Sequence, residues 1–332
     1  MTPKERFLGA LARKEMDRPA VGCVTQSVTV DQMEWAGVEW PAAHTDAQMM
    51  AKLGIAGAKV FGFENARVPF CLTVEAEAFG ATVDLGNRVK TPMLKAHPYS
   101  SEDEPAIPEG FLEKGRVATA IEAVKILKAE YGEEYPIVAG TTGPLTIAGH
   151  LVGTEDLLLM MITEPDTVHK FIKVTAEMEK QYIAALVAAG VDVINMSDPS
   201  ASTDMLSAEM FDEFALPYTK HAFEGCGDAK KILHICGNTT SLLEHMINTG
   251  ADGLSIEEKV DSAEAVNIVN GRVALVGNIG SVKPLYMGTP EECAADAARI
   301  RDAGFNIIAP GCGLAAETPK ANIEAFVKTI KG

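Results

Sequence analysis

The feature that most constrains the fold is a junction between helix and strand that occurs three times in the C-terminal half. The three copies are Ala189–Asp192, Thr249–Asp252 and Ala303–Asn306, and glycine is the second residue of each. Glycine suits the left-handed backbone conformation that commonly caps a helix. A nearly continuous apolar run follows each copy, which is typical of a parallel strand covered by helices. This half is therefore predicted to alternate helices with buried parallel strands.

Extending the same pattern to the whole chain gives eight predicted strands. They lie at 19–25, 57–61, 136–141, 191–196, 231–235, 252–256, 273–277 and 305–309. Eight strands that alternate with helices are the count of a (β/α)8 barrel. A doubly wound open sheet gives the same alternation, but no GxGxxG motif follows the first strand to favour it.

We therefore predict one α/β domain over residues 1–332, a (β/α)8 TIM barrel. An N-terminal helix is expected at 3–13 and another helix at 44–52. Residues 62–108 carry several prolines that break the rhythm, and we predict an insertion there on the rim of the barrel.

Composition excludes several classes of protein. The formal net charge of −17 argues against nucleic acid or an anionic membrane as a partner. No uncharged apolar run approaches the roughly 18 residues that a membrane span needs. Six cysteines in 332 residues do not indicate a disulfide framework. The sequence predicts a cytoplasmic protein that binds neither nucleic acid nor a membrane.

Soft metal ligands follow two of the predicted strands. His234 and Cys236 lie at positions i and i+2 where the fifth strand ends, and Cys312 follows the eighth strand. Residues two apart on a strand point to the same face, and all strands of a barrel open at one mouth. Either residue alone is more often structural, but the three together predict a zinc site with one replaceable position.

Further polar residues are expected at the same mouth. Glu257, preferred over Glu258, follows the sixth strand and is a candidate fourth zinc ligand. Asn195 and Asp198 at the end of the fourth strand, and Asn278 at the end of the seventh, are candidates for binding the cofactor or substrate. Asp198 has an alternative interpretation as a helix cap or turn residue.

Two further expectations concern ligands at the mouth. The backbone N–H groups of residues 237–239 enter a helix and could receive an anionic group such as a sulfonate. Phe70 and Asn65, inside the predicted insertion, are expected on the rim where a large partner would dock.

The chain also resembles a known family. Residues 4–11 (KERFLGAL) followed by Asp17-Arg18-Pro19 resemble the opening of the uroporphyrinogen decarboxylase superfamily, and residues 143–149 and 276–279 are similar to further segments of it. The resemblance covers essentially the whole chain and implies a (β/α)8 barrel.

Within that superfamily, His234 and Cys236 with Cys312 are similar to the zinc-binding branch, the methylcobamide:coenzyme M methyltransferases of methanogenic archaea. The resemblance implies a zinc ion that holds the thiol of coenzyme M. It also implies a methylated corrinoid protein, carrying methylcobamide, as the partner that donates the methyl group.

Two departures from the decarboxylases make that activity unlikely for this chain. Decarboxylases carry arginines after the first strand, where residues 24–29 here contain none. They also carry histidine in the last glycine-rich loop, where this chain has Cys312. Two alternatives to the coenzyme M reaction stay open: a zinc methyltransferase with another acceptor thiol, and a barrel that binds a corrinoid protein without turnover.

Overall fold

The computed structural model describes residues 1–26 and 28–332 and contains ten strands in this part of the chain. The strands are β1 Ala20–Val21, β2 Ala66–Val68, β3 Thr82–Asp84, β4 Met93–Ala96, β5 Ile137–Thr142, β6 Val193–Ser197, β7 Lys230–His234, β8 Gly253–Ile256, β9 Ala274–Ile279 and β10 Ile307–Pro310.

The helices alternate with these strands. They are α1 Pro3–Leu11, α2 Val30–Ala36, α3 Ala47–Val60, α4 Val74–Ala78, α5 Gly115–Tyr131, α6 Pro144–Val152, α7 Thr154–Thr163, α8 Pro165–Ala189, α9 Ala208–Phe214, α10 Leu216–Phe223, α11 Leu243–Ile247, α12 Ser262–Val269, α13 Pro290–Ala303 and α14 Lys320–Lys331. Two of the three predicted glycine caps are confirmed: Gly190 and Gly304 end α8 and α13 with φ of 112° and 105°. The third is wrong, because α11 ends at Ile247 and is capped by Asn248 rather than by Gly250.

Eight of the strands form one parallel sheet in the order β1-β10-β9-β8-β7-β6-β5-β2. This is the topology of a (β/α)8 barrel, so the predicted fold class is confirmed. β3 and β4 form a separate antiparallel hairpin.

The barrel closes between β1 and β2, the first and last strands of this order, through a backbone hydrogen bond and the side chain of Asn65. The backbone N–H of Glu64 donates to the Val21 carbonyl at 2.7 Å. The Asn65 amide accepts from the Cys23 N–H at 3.0 Å and donates to the Cys23 carbonyl at 2.9 Å. Asn65 thus takes the place of a strand residue in the hydrogen-bond ladder.

The bottom of the barrel is plugged by the N-terminal helix. One apolar cluster fills the interior, with members from the barrel strands such as Val138, Val193 and Ile232. Phe7 and Leu11 of α1 belong to the same cluster. The N-terminal end of the barrel is therefore closed, and ligands must approach from the mouth formed by the carboxyl ends of the strands.

The predicted second strand at 57–61 is wrong. This stretch is the end of α3, which runs to Val60, and the second barrel strand is β2 at Ala66–Val68. A short apolar run does not distinguish a buried helix from a strand, and here Ile55, Ala56 and Ala58 continue the buried side of α3.

The range 62–108 thus contains a barrel strand as well as the hairpin β3–β4. Phe70 and Asn65 were expected on the rim, but they are only 1% and 3% exposed, so that expectation is wrong. The division of the chain into domains stays a prediction.

In the described part of the chain no single helix is long and apolar enough to cross a membrane. α6 and α7 together reach that length and composition, but they are bent by 103°.

Candidate metal centre

The three predicted metal ligands meet at the mouth of the barrel. β7 ends at His234, and Cys236 lies two residues further on. β10 ends at Pro310, and Cys312 again lies two residues further on. Nε2 of His234 is 3.3 Å from Sγ of Cys236, which is 3.6 Å from Sγ of Cys312. All three ligand atoms lie within 4.8 Å of one another.

This donor set fits a tetrahedral zinc ion. Zinc bonds of about 2.3 Å to sulfur and about 2.0 Å to nitrogen place neighbouring ligand atoms roughly 3.5 to 3.8 Å apart. The distances in the site, 3.3 and 3.6 Å, are close to these edges of a tetrahedron. Three protein ligands leave one position for an exogenous ligand, as in catalytic rather than structural zinc sites.

A serine on the neighbouring strand orients the histidine. Ser255 is the strand partner of His234 in the β7–β8 pairing. Nδ1 of His234 lies 3.0 Å from the Ser255 hydroxyl and 3.2 Å from its carbonyl oxygen. Since a carbonyl only accepts, Nδ1 carries the hydrogen and Nε2 presents its lone pair to the two sulfurs.

The two thiols are hydrogen-bonded to each other at the mouth of the barrel, with their sulfurs 3.6 Å apart. The Cys236 thiol donates to Cys312, which raises the pKa of Cys236 far above its ordinary value. The same hydrogen bond lowers the pKa of Cys312. The contact therefore favours the thiolate form of Cys312, and the thiolate is the form of cysteine that ligates metals.

The carboxylates that follow β8 lie close to this pair of thiols. The negative charge of Glu257 contributes to the raised pKa of Cys236, so Glu257 is near the site. Its Oε2 lies 3.7 Å from Nζ of Lys259 and is not part of the three-residue cluster in the described residues. Burial, with the neighbouring Glu257 and Cys312, raises the pKa of Glu258. The assignment of Glu257 as a fourth ligand stays a prediction.

Asp198 is buried where β6 ends. Its Oδ1 accepts from the backbone N–H of Thr146 at 2.9 Å and from the Thr146 hydroxyl at 2.6 Å, which caps the first turn of α6. Gly143 leaves room for this cap, because a Cβ there would lie 2.2 Å from Cγ of Asp198. Burial raises the pKa of Asp198 to about 6, and its Oδ2 has no partner. The alternative interpretation of Asp198 as a helix cap fits this geometry.

The amide of Asn278 is already engaged within the protein. Its Oδ1 accepts from the Ser262 hydroxyl at 2.9 Å, and its Nδ2 donates to the carbonyls of Glu257 and Val260 at 3.1 and 2.8 Å. These bonds hold the loop that carries Glu257. The geometry therefore gives Asn278 a role in positioning that loop, and a role in binding a ligand stays a prediction.

Asn195 points into the barrel below the metal ligands. It is fully buried, its Nδ2 donates to the Ser197 hydroxyl at 3.3 Å, and its Oδ1 has no partner. An unpaired polar atom in this position is available to a ligand, and the binding role of Asn195 stays a prediction.

The turn at residues 237–239, which was expected to receive an anion, is poorly suited to bind an anionic group. Gly237 has φ of +87°, and a Cβ there would lie 3.1 Å from Oδ2 of Asp204. The carboxylate of Asp204 beside this turn would repel a sulfonate.

The sequence prediction missed two residues near the site. Ser255 was missed because its contact with His234 depends on strand register, although a serine in an otherwise apolar strand was a signal. Arg67 was missed because the second strand was misplaced. It lies in β2, is 3% exposed, and extends into the barrel interior.

The comparisons with known proteins agree on one family. The family model for uroporphyrinogen decarboxylase (URO-D) matches residues 2–332. A methylcobamide:CoM methyltransferase, MtbA, from Methanosarcina mazei is 39% identical over 99% of this chain and 98% of its own length. Another, MtaA from Methanosarcina barkeri, is 37% identical over 98% of this chain and 96% of its own.

The similarity to solved structures is equally complete. A methyltransferase from Methanosarcina mazei superposes with a TM-score of 0.96 at 35% identity, covering 100% of this chain and 98% of that one. These matches confirm the predicted resemblance, including its methyltransferase branch. The chain belongs to the uroporphyrinogen decarboxylase family.

Proposed function

We propose that this chain is a zinc-dependent methyltransferase. It transfers a methyl group from methylcobamide, carried by a corrinoid protein, to the thiol of coenzyme M. The observation that carries the proposal is the convergence of His234, Cys236 and Cys312 at the barrel mouth. The full-length similarity to proteins named methylcobamide:CoM methyltransferases supports it.

Zinc bound by these residues would supply a Lewis acid that keeps an acceptor thiol deprotonated at neutral pH. The chain's own contribution is charge and orientation. Two cysteine thiolates balance the charge of a divalent ion, so an added substrate thiolate stays electron-rich. Ser255 fixes the ring of His234, and therefore the direction of the open position.

The reaction balances without a further reagent. The acceptor sulfur forms a bond to the methyl carbon while the cobalt–carbon bond breaks, and that electron pair stays on the corrinoid. The proton of the acceptor thiol is released to solvent. Glu257 would occupy the fourth position at rest, which requires its carboxylate to leave Lys259. X-ray absorption should then show an oxygen neighbour replaced by sulfur when coenzyme M is added.

The alternatives differ in what they predict. A methyltransferase for another thiol, such as homocysteine, would prefer that acceptor in competition with coenzyme M. A barrel that only binds a corrinoid protein would not turn over. The decarboxylase reaction is disfavoured by Cys312 and by the absence of arginine from residues 24–29. The cytoplasmic location and the corrinoid-protein partner are part of the proposal.

The decisive experiment is methyl transfer by the purified, zinc-loaded protein. Free methylcobalamin is the donor, and coenzyme M, homocysteine and 2-mercaptoethanol are the acceptors. We expect methylated coenzyme M to form fastest, in step with the absorbance change of demethylation. No turnover with any thiol, despite full zinc, would refute the proposed activity, and preference for homocysteine would change the acceptor.

A further inference from the structure

Arg67 is a cation buried inside the barrel. Its Nε donates to the Val24 carbonyl at 2.9 Å, and its Nη1 donates to the Pro69 carbonyl. Its Nη2 is buried and has no hydrogen-bond partner. In the described part of the chain no carboxylate forms an ion pair with it. Cys23, Cys71 and Glu75 are the acidic groups near it, and the Glu75 carboxylate accepts from the backbone N–H and the hydroxyl of Thr142 instead.

The strand register directs this side chain into the barrel. Arg67 pairs with Val138 of β5, and Val138 belongs to the apolar cluster that fills the interior. Paired residues on neighbouring parallel strands share a face of the sheet, so Arg67 also points inward. Burial lowers the pKa of Arg67 to about 10, which still leaves it charged at neutral pH.

Gly140 makes the space that the guanidinium occupies. A Cβ at this position would lie 2.1 Å from Nη2 of Arg67. Gly140 is also the strand partner of Asn195, whose Oδ1 is likewise buried without a partner. Arg67 on β2 and Asn195 on β6 thus lie on either side of β5, and the Arg67 guanidinium reaches Gly140, the strand partner of Asn195.

We infer that Arg67, with Asn195 beside it, binds the anionic end of the acceptor thiol and selects acceptors that carry an anion. The identity of that acceptor rests on the proposed function. A guanidinium presents fixed N–H donors that match the oxygens of a sulfonate or carboxylate. The Ser197 hydroxyl can either donate or accept, so the Asn195 amide can turn its N–H group toward the anion.

The distance to the metal ligands suits a short acceptor. Asn195 precedes Ser197 by two residues, and Ser197 is the strand partner of His234. Two residues along a strand span roughly 7 Å. A metal–sulfur bond of about 2.3 Å followed by two methylene groups has a similar reach. A thiol on the metal would therefore place its anion at the level of Arg67.

Binding also resolves an electrostatic cost. A charge buried without a counterion is unfavourable, and a bound anion would neutralise it. The turn at Gly237 lacks this advantage because the carboxylate of Asp204 lies beside it.

The test compares Arg67→Met and Arg67→Lys with the unaltered protein, using acceptors of equal length. Coenzyme M carries a sulfonate, whereas 2-mercaptoethanol carries a neutral hydroxyl. We expect Arg67→Met to raise KM for coenzyme M by about 10- to 100-fold, the usual range for a lost charge-assisted hydrogen bond. KM for 2-mercaptoethanol and the zinc content should change less than about twofold, and Arg67→Lys should restore part of the loss. Equal effects on both acceptors, or none on either, would overturn the assignment.

Two further measurements keep the test independent of turnover and of folding. Ethanesulfonate has no thiol, so its calorimetric affinity for the metal-free protein reports the anion site alone and should fall in Arg67→Met. Gly140→Ala keeps the charge but displaces the guanidinium, and it should weaken ethanesulfonate binding even if Arg67→Met does not fold. Unchanged ethanesulfonate binding in Gly140→Ala would contradict the inference.

The outcomes separate the two proposals. Binding of ethanesulfonate that depends on Arg67, in a protein without methyl transfer, would support the anion site and refute the proposed function. Methyl transfer to coenzyme M with a KM indifferent to Arg67 would support the function and refute the anion site.

Discussion

At the scale of single residues, the candidate centre depends on two cysteines that lie far apart in the sequence. The hydrogen bond from Cys236 to Cys312 raises the pKa of the donor and lowers the pKa of the acceptor, and metal binding must displace the remaining thiol proton. Their sulfurs are 3.6 Å apart although 76 positions separate them in the chain. The barrel, rather than a local loop, therefore sets the geometry of the site.

Removing either thiol should remove the metal. We expect Cys236→Ala and Cys312→Ala each to lose most of about one zinc per chain, because two remaining ligands bind weakly. Atomic absorption after dialysis against a mild chelator measures this. Cys293→Ala is the matched control, since Cys293 is buried in α13 and lies outside the cluster. Full zinc in both site variants would refute the ligand assignment.

At the scale of the elements, the strands that carry the candidate metal ligands were easier to predict than the second barrel strand. The ends of β7 and β10 were found because His234, Cys236 and Cys312 carry chemistry, and side-chain alternation along a strand is a local property. β2 was missed because α3 continues its apolar face to Val60, which a short window interprets as a strand. Ser255 and Arg67 act through neighbouring strands, and register is a tertiary property that one sequence does not display.

A buried glutamate on helix α8, Glu179, allows the cost of an ionisable group in the barrel wall to be measured. Glu179 is fully buried on this helix, and the Thr141 hydroxyl is the polar side chain beside its carboxylate. Burial, with the nearby charge of Glu75, raises the pKa of Glu179 well above its usual value. Because the folded pKa is raised, the contribution of Glu179 to stability is complete below the unfolded pKa of about 4.3 and is lost as pH rises.

Replacing this acid by its neutral isostere should therefore stabilise the protein at higher pH. Relative to the unaltered chain, Glu179→Gln should gain up to about 1.4 kcal/mol in free energy of unfolding for each pH unit above about 4.3, until the folded pKa is reached. Urea unfolding at several pH values measures the gain. Glu177→Gln, on the same helix but paired with His221 at the surface, should show no gain. If the free energy of unfolding changed with pH in the same way in the Glu179→Gln variant and in the unaltered protein, the prediction would be contradicted.

At the scale of the whole molecule, the two ends of the barrel differ. The bottom is filled by Phe7 and Leu11, whereas the mouth carries the candidate centre and exposed apolar side chains. Val282 and Met287, in the segment after β9, are 59% and 72% exposed. Ser281 in the same segment accepts from the backbone N–H of Cys312 at 3.1 Å, so the start of this segment, which carries Val282, lies next to the centre.

A corrinoid protein should therefore dock over this segment. We expect Val282→Trp to slow methyl transfer from a methylated corrinoid protein several-fold while transfer from free methylcobalamin changes little, because only the large donor needs the rim. Ala129→Trp, at the exposed end of the outer helix α5, is the control and should affect neither donor. Zinc content should be unchanged in both. If Val282→Trp slowed both donors equally, or Ala129→Trp alone blocked the protein donor, the docking face would be wrong.

The plug of α1 also imposes an order of events on the proposed reaction. In the described part of the chain the bottom of the barrel is filled, so a corrinoid protein docked on the mouth would cover the route to the metal site. The thiol must then bind first, and its methylated product must leave last. Methylated coenzyme M should then compete with coenzyme M in product inhibition. An excess of corrinoid protein should trap the empty barrel and inhibit the reaction, and more coenzyme M should relieve that inhibition. Initial rates that show no such inhibition would mean that the small acceptor reaches the site while the partner is docked. The closed end of the barrel would then not determine the order in which substrates bind and products leave.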